Sequence, residues 1–497
     1  MLVPLFKDLL HPLGILEWDR FLLYSRNTLY LRINFSSFPQ SLFFAIISTR
    51  PSTLLFPRLI ALQTARIPQL LAISSQLISE SLRSLTVHTD VEFAADDNDD
   101  VVLRGFIVNT LTTYALEELQ LVHSLNDYGS PSSTLCSMLV EELKQSFSQE
   151  TRSRHTLKSL KLGLSPAQLK CIIGPIGHLP GLESLGIEVP AFTERQLPIA
   201  TSHLPMFPAL KSLRITAEDW LVAVCVANEV LNLPGHQELN SFHVDTDHAC
   251  PIQTPSSASL RDVLISITRH PPINLSILNF DLSADAIASE VSFSPDEPDD
   301  CISSRIVEPL HSSAFHSLTE LSIMSPLLVK LSHNDIIAFT CKMPQLRSFV
   351  LAHNLGFYDN LPPPLITMKT ITALTRSCPY LSYLGLAVDF SIATLQIDDP
   401  TSPEIREWDL FESHTDNPKV TADFIWAHFP NLHTIMQDTV TLPHMNSPSI
   451  DQITAGLEAE GEGEDGHLSS DPLSALNYVA RRVSRLRFQA GQSVAPR

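Results

Sequence analysis

The sequence predicts an α/β solenoid: a parallel sheet lining a concave side, with helices outside it. Three observations predict it. A phrase of the form L-x-x-L-x-L returns along the chain, stretches of helical spacing separate its copies, and a proline often stands just before it. With 497 residues, the chain has room for one long array that grows by repetition.

The copies are LRSLTV at Leu82, LEELQL at Leu116, LKSLKL at Leu157, LESLGI at Leu182, LKSLRI at Leu210, LNSFHV at Leu239, LSILNF at Leu275, LTELSI at Leu318, LRSFVL at Leu346 and LSYLGL at Leu381. Degenerate copies, LYLRI at Leu29 and LHTIM at Leu432, lie at either end. Steps between the ten full copies run from 25 to 43 residues and average about 33, a period that signals a solenoid. Each phrase closes on alternating apolar and polar residues, the period-2 mark of a short strand with one buried face.

Helical spacing follows in DWLVAVCVANEVL (Asp219 to Leu231), LRDVLISITRH (Leu260 to His270), NDIIAFTCK (Asn334 to Lys342) and TMKTITALTRS (Thr367 to Ser377). Parallel strands need a crossover, so these segments are expected to be the helices that return the chain to the sheet. The proline of MPQL, CPYL, FPAL, LPGL and FPNL then stops each helix, having no amide hydrogen and a fixed φ. Acidic or polar stretches at Glu92 to Asp100, Ser292 to Asp300, Asp398 to Pro418 and Asn446 to Asp471 read as solvated or disordered insertions that make the period uneven.

The expected organisation is a helical, capping region with a degenerate first repeat at 1–58, the array at 59–437, and an acidic, partly disordered tail at 438–497. YVARRVSRLRF (Tyr478 to Phe488) in that tail reads as a basic amphipathic helix, or as the start of a second array, since it echoes YSRNTLYLRI near Tyr24.

Composition excludes several classes. Hydrophobic residues make up 44% of the chain, enough for a large core. The net charge of −21 disfavours nucleic acid and an anionic membrane surface as partners. Apolar runs such as LFFAIIS (Leu42 to Ser48) are far too short to cross a bilayer, and MLVPLFKDLLHP lacks the layout of a signal peptide. Seven singly scattered cysteines with no C-x-x-C pair suit a reducing compartment, so a cytoplasmic or nuclear location is expected.

In CPYLSYLGL, MPQLRSFVL and FPALKSLRI the chain resembles the leucine-rich repeat family, and within it the repeat region of fungal F-box proteins. LEWDRFLLYSRNTLYLRI (Leu16 to Ile33) is similar to the W-x-R-F-x-x-Y stretch that often follows an F-box there. The resemblance implies a horseshoe that holds a protein client for a ubiquitin ligase. It implies a Skp-type adaptor and cullin only if an F-box lies upstream, because the residues before Trp18 contain no L-P-x-E-I/L-L phrase. A stand-alone repeat scaffold with no ligase role is the alternative.

A search for chemistry returns no G-x-x-x-x-G-K-S/T, H-E-x-x-H or G-x-S-x-G pattern, and GEGEDG (Gly461 to Gly466) is too acidic to cradle phosphate. No enzyme, cofactor or metal site is expected. The ligand types of HVDTDHAC (His243, Asp245, Asp247, His248, Cys250) read as a strand exit, because strand geometry aligns only His243 and Asp245. Cys341 and Cys378 read as small buried hydrophobes. The strand residues that alternate with the core leucines are expected on the concave face as the client surface: Glu118, Gln120, Lys161, Arg214, His243, Asn279, Glu320 and Tyr383, beside the serines Ser159, Ser212, Ser241 and Ser322. Lys161, Arg214, His243 and Tyr383 are the expected anchors, being cationic or aromatic groups on an acidic chain.

Overall fold

The computed structural model describes residues 15–33, 55–65, 79–88, 97–122, 137–149, 151–189, 206–217, 220–233, 237–246, 257–282, 301–325, 327–353, 364–391, 404–411, 413–436 and 479, 482 and 483. They fall into two units, Met1–Ile252 with His270–Asn274, and Gln253–Arg269 with Leu275–Arg497. Both are parallel α/β repeats.

In the first unit the strands are β1 (Tyr30–Ile33), β2 (Ala61–Ala65), β3 (Ser84–His88), β4 (Glu118–Val122), β5 (Ser159–Gly163), β6 (Ser184–Val189), β7 (Ser212–Ala217) and β8 (Ser241–Thr246). Each pairs in parallel with the next in chain order. The second unit orders β9 (Ile277–Asp281), β11 (Glu320–Ser325), β13 (Ser348–His353), β14 (Tyr383–Leu386), β15 (Glu407–Asp409) and β16 (Thr434–Met436) the same way, while β10 (Cys301–Ile302) and β12 (Leu328–Val329) pair separately. These elements form the repeat solenoid that the phrase predicts.

The register sets phrase on phrase. Leu85, Leu119, Leu160, Leu185, Leu213 and Phe242 form one row across β3 to β8, and Val87, Leu121, Leu162, Ile187, Ile215 and Val244 the next. All twelve are at most 1% exposed, as is the first leucine of every full copy. Each such side chain contributes roughly 1.5–3 kcal/mol by burial. This face looks at the helices: Phe339 of helix His333–Thr340 meets Phe349 of β13 edge-on at 6.1 Å between ring centroids. Phe429, capping helix Pro418–His428, meets Trp408 of β15 at 5.0 Å.

Two backbone devices recur at the strand starts. The amide of the leading leucine donates to the carbonyl three residues back, as in Leu381 to Cys378 (3.1 Å), Leu346 to Met343 (3.1 Å) and Leu432 to Phe429 (3.1 Å), so the proline occupies the second position of a tight turn where its fixed φ fits. One residue on, a single carbonyl accepts two N–H groups from the next repeat. Arg83 O takes Glu117 N (2.7 Å) and Glu118 N (2.9 Å), and Glu117 O takes Lys158 N (2.8 Å) and Ser159 N (3.0 Å). Lys158, Glu183 and Lys211 repeat the arrangement in the first unit, as do Ser276, Thr319, Arg347, Ser382 and Arg406 in the second.

The four expected helices are present as Trp220–Leu231, Ser257–Arg269, His333–Thr340 and Met368–Ser377. Two expected insertions are corrected in their described parts. Asp97 to Asp100 open helix Asp97–Thr113, and IREWDL within Asp398 to Pro418 is a repeat, with Ile405 and Trp408 fully buried and β15 at its centre. Trp408 fills a leucine position there, and its acidic neighbours point the other way. FPRL at Phe56 makes the same turn as FPAL and leads into β2, a copy that the phrase count passes over. The stretches Ser292 to Asp300 and Asn446 to Asp471 lie outside the described residues. In the tail, the helical residues Val479 and Val483 are buried, and the Arg482 guanidinium donates to both oxygens of Asp423 on helix Pro418–His428 (2.9 and 3.2 Å).

Candidate functional site

On the opposite face of the first unit the alternating residues line up in three rows. Ser84, Glu118, Ser159, Ser184, Ser212 and Ser241 belong to the first; Arg32, Gln63, Thr86, Gln120, Lys161, Gly186, Arg214 and His243 to the second; His88, Glu188, Thr216 and Asp245 to the third. Five of the expected residues, Glu118, Gln120, Lys161, Arg214 and His243, therefore share one face.

Their polar groups are tied to one another, and the ties are diagonal. Lys161 Nζ lies 2.5 Å from Glu188 Oε1, and Arg214 Nε 2.6 Å from Asp245 Oδ2, each a second-row cation meeting a third-row carboxylate on the following strand. Gln63 Nε2 and His88 Nε2, 2.6 Å apart, repeat the pattern between β2 and β3. Such diagonals span about 7–8 Å between strands, within reach of long side chains. Glu118 accepts from Ser84 Oγ (2.8 Å) and Gln120 Nε2 (2.6 Å). Gly186 makes room here: a Cβ on it would stand 3.0 Å from Lys161 Cγ, because the lysine stem lies across it on the way to Glu188.

The two cations differ. Lys161 holds a carboxylate that is only 9% exposed, while the Arg214 side chain is 63% exposed. Sequence reasoning named both cations and missed Glu188 and Asp245 as their partners. The half-buried His243 stands in register beside Arg214. Its neighbour Asp245 is engaged by Arg214; Asp247, His248 and Cys250 lie outside the described residues, and among the described residues no group of three His, Cys, Asp or Glu could hold a metal.

In the second unit, Asn279, Glu320 and Tyr383 lie on the corresponding face of β9, β11 and β14, all half-buried. Asn279 Oδ1 is buried with no hydrogen-bond partner among the described residues. Tyr383 packs with Met324 against an apolar cluster of Val350, Ala352, Ala387 and Phe411, so this stretch of face is greasy where the first unit's is polar. Phe411 adopts φ +41°, its amide donating to Asp409 Oδ1 (3.2 Å), and its ring lies over Gly385, where a Cβ would stand 2.9 Å from Phe411 Cε2. Sequence reasoning missed Phe411 altogether.

Of the two cysteines expected to be buried, Cys378 is, and burial, with Cys341 nearby, pushes its thiol up to about 12. Cys341 is exposed instead, at the end of helix His333–Thr340. No described helix is long and apolar enough to cross a membrane.

No protein-family model matches the chain, and no curated protein matches it. Among solved structures, a chain of the crystallised Rad7–Elc1 complex from yeast is similar over 71% of this chain and 74% of its own, at 17% identity and a TM-score of 0.39. A Bacteroides fragilis protein is similar over 74% and 77%, at 11% identity and a TM-score of 0.33. At those values neither likeness bears on what this chain binds or does.

Proposed function

We propose that the chain is a non-catalytic scaffold that holds a protein client on the helix-free face of its sheet. The observation that carries this reading is the first unit's three registered rows of polar side chains on a face opposite the buried leucines. Seven or more side chains presented at strand spacing suit an extended partner rather than a small substrate. The finer reading, the substrate-recognition part of an F-box-type ubiquitin ligase at work in the cytoplasm or nucleus, is supported by the Leu16 to Ile33 stretch and the repeat phrases. A stand-alone scaffold with no ligase role is the second reading. The proposed division is 1–58, 59–437 and 438–497, with the array carrying the client.

A photo-reactive residue at Gln120, on this face, and another at Lys144, exposed on helix Ser137–Ser148, test the first claim. The same partner captured from Gln120 and not from Lys144, and then bound directly as a purified protein, is the expected result. Capture from Lys144 alone would move the site to the helices. For the ligase reading, residues 1–497 should fail to retain a Skp-type adaptor; retention would mean that Met1 to Asn34 hides a divergent F-box.

A further inference from the structure

On the β5–β8 part of the first unit's face, charge is layered. The carboxylates lie low, with Glu188 9% and Asp245 15% exposed in their side chains, and the cations that hold them stand above, Lys161 at 34% and Arg214 at 63%. A partner therefore meets positive charge first, on a chain whose net charge is −21. Arg214 is well exposed although the Lys161 stem crosses Gly186 opposite it on β6, because Ser184, Ser212 and Ser241 beside it are short. Only its Nε is engaged, so both terminal nitrogens are without a partner among the described residues.

Resting on the client reading above, we propose that the β5–β8 face receives an extended acidic peptide of a partner protein, with one aspartate or glutamate carboxylate taken end-on by the two terminal nitrogens of Arg214. The planar guanidinium offers parallel N–H groups at the spacing of carboxylate oxygens, and Asp245 on Nε fixes its plane. Lys161 does not share the role. Its ammonium is committed to Glu188 and serves the fold. A doubly charged phosphate would need a second uncommitted cation beside Arg214, and this part of the face supplies none among the described charged residues; the singly charged carboxylate matches one guanidinium.

The test uses the full chain and a fluorescein-labelled decapeptide of alternating glycine and glutamate, with binding read by anisotropy. Arg214→Gln should weaken binding at least tenfold with an unchanged melting temperature, Lys161→Gln should weaken it less than threefold while lowering the melting temperature, and a glutamine version of the peptide should not bind. Equal binding by wild type and Arg214→Gln, or by the glutamine peptide, overturns the proposal. A phosphoserine peptide held tenfold tighter through Arg214 would overturn the carboxylate assignment. Binding that arises only on deleting residues 446–471 would put the occupant within the chain and overturn it too. A client captured at Gln120 but indifferent to Arg214→Gln sinks this inference alone; capture at Lys144 alone sinks the client reading beneath it.

Discussion

Lys161 illustrates how a surface cation becomes structural. Its partner Glu188 is nearly buried, with one oxygen 2.5 Å from the ammonium and the other without a partner among the described residues. Removing the lysine charge strands a carboxylate in a poor dielectric, so Lys161→Gln should cost roughly 2–3 kcal/mol in chemical denaturation, less than a fully buried pair because the lysine is itself one-third exposed. Adding Glu188→Gln should recover most of that loss, and a single variant as stable as wild type would refute the account. Trp408 makes the converse case. Its indole nitrogen is buried without a hydrogen-bond partner among the described residues, and its ring packs on those of Phe390 and Phe429. Trp408→Phe gives up volume but also an unmet donor and should stay within about 1 kcal/mol of wild type, whereas Trp408→Ala should cost about 3–5 kcal/mol. Lys161 and Arg214 were legible in the sequence because alternation alone assigns a strand residue to a face. Glu188 and Asp245 were not legible as their partners, because that pairing depends on the register of two strands and a two-residue diagonal that no single phrase contains.

Along the starts of β3 to β7, the position after the leading leucine alternates in sign: Arg83, Glu117, Lys158, Glu183, Lys211. The neighbours meet, Lys158 Nζ with Glu117 Oε2 at 2.7 Å and Lys211 Nζ with Glu183 Oε2 at 2.8 Å, and Arg83 with Glu117 more loosely at 3.9 Å. The hydrogen bond and charge of Lys211 hold the Glu183 carboxyl below its usual value, and those of Glu117 raise the Lys158 ammonium. Glu183's contribution is thus present above the unfolded carboxylate value and lost as pH falls through its lowered folded value. That of Lys158 is present below the unfolded lysine value and lost as pH rises through its raised one. Between those limits neither contribution should respond to pH. Glu183→Lys places three like charges in a row, so it should lower the melting temperature at about 20 mM salt and much less at about 1 M, where screening reaches within about 3 Å. An equal loss in both salts would rule out a charge effect. FPRL before β2 was passed over because Thr64 stands where the phrase closes on an apolar residue. IREWDL was missed because a tryptophan in a leucine slot among acidic letters has the composition of a loop, and only the packing of Phe390 and Phe429 against it declares a core position.

At the scale of the whole molecule, each repeat is stabilised by its neighbours, so damage should spread from where it is made. Leu213, 1% exposed in the middle of the first unit's core row, is the place to try it: Leu213→Asp should cost several kcal/mol, and hydrogen exchange should quicken first in β6 and β8, on either side of β7. Uniform protection loss over all strands would mean that the unit melts as one block. The shared carbonyls add a mechanical consequence. Every strand of the first unit is hitched to the one before it by two amides on a single oxygen, and the hitches follow one another in chain order. A pull on the two ends of that unit loads one hitch at a time, as a zipper is loaded, instead of all strands together in shear. Each released repeat of about 33 residues pays out roughly 110 Å of chain, so the unit should lengthen in a staircase of low, similar steps and wind back through the same steps when the force is eased.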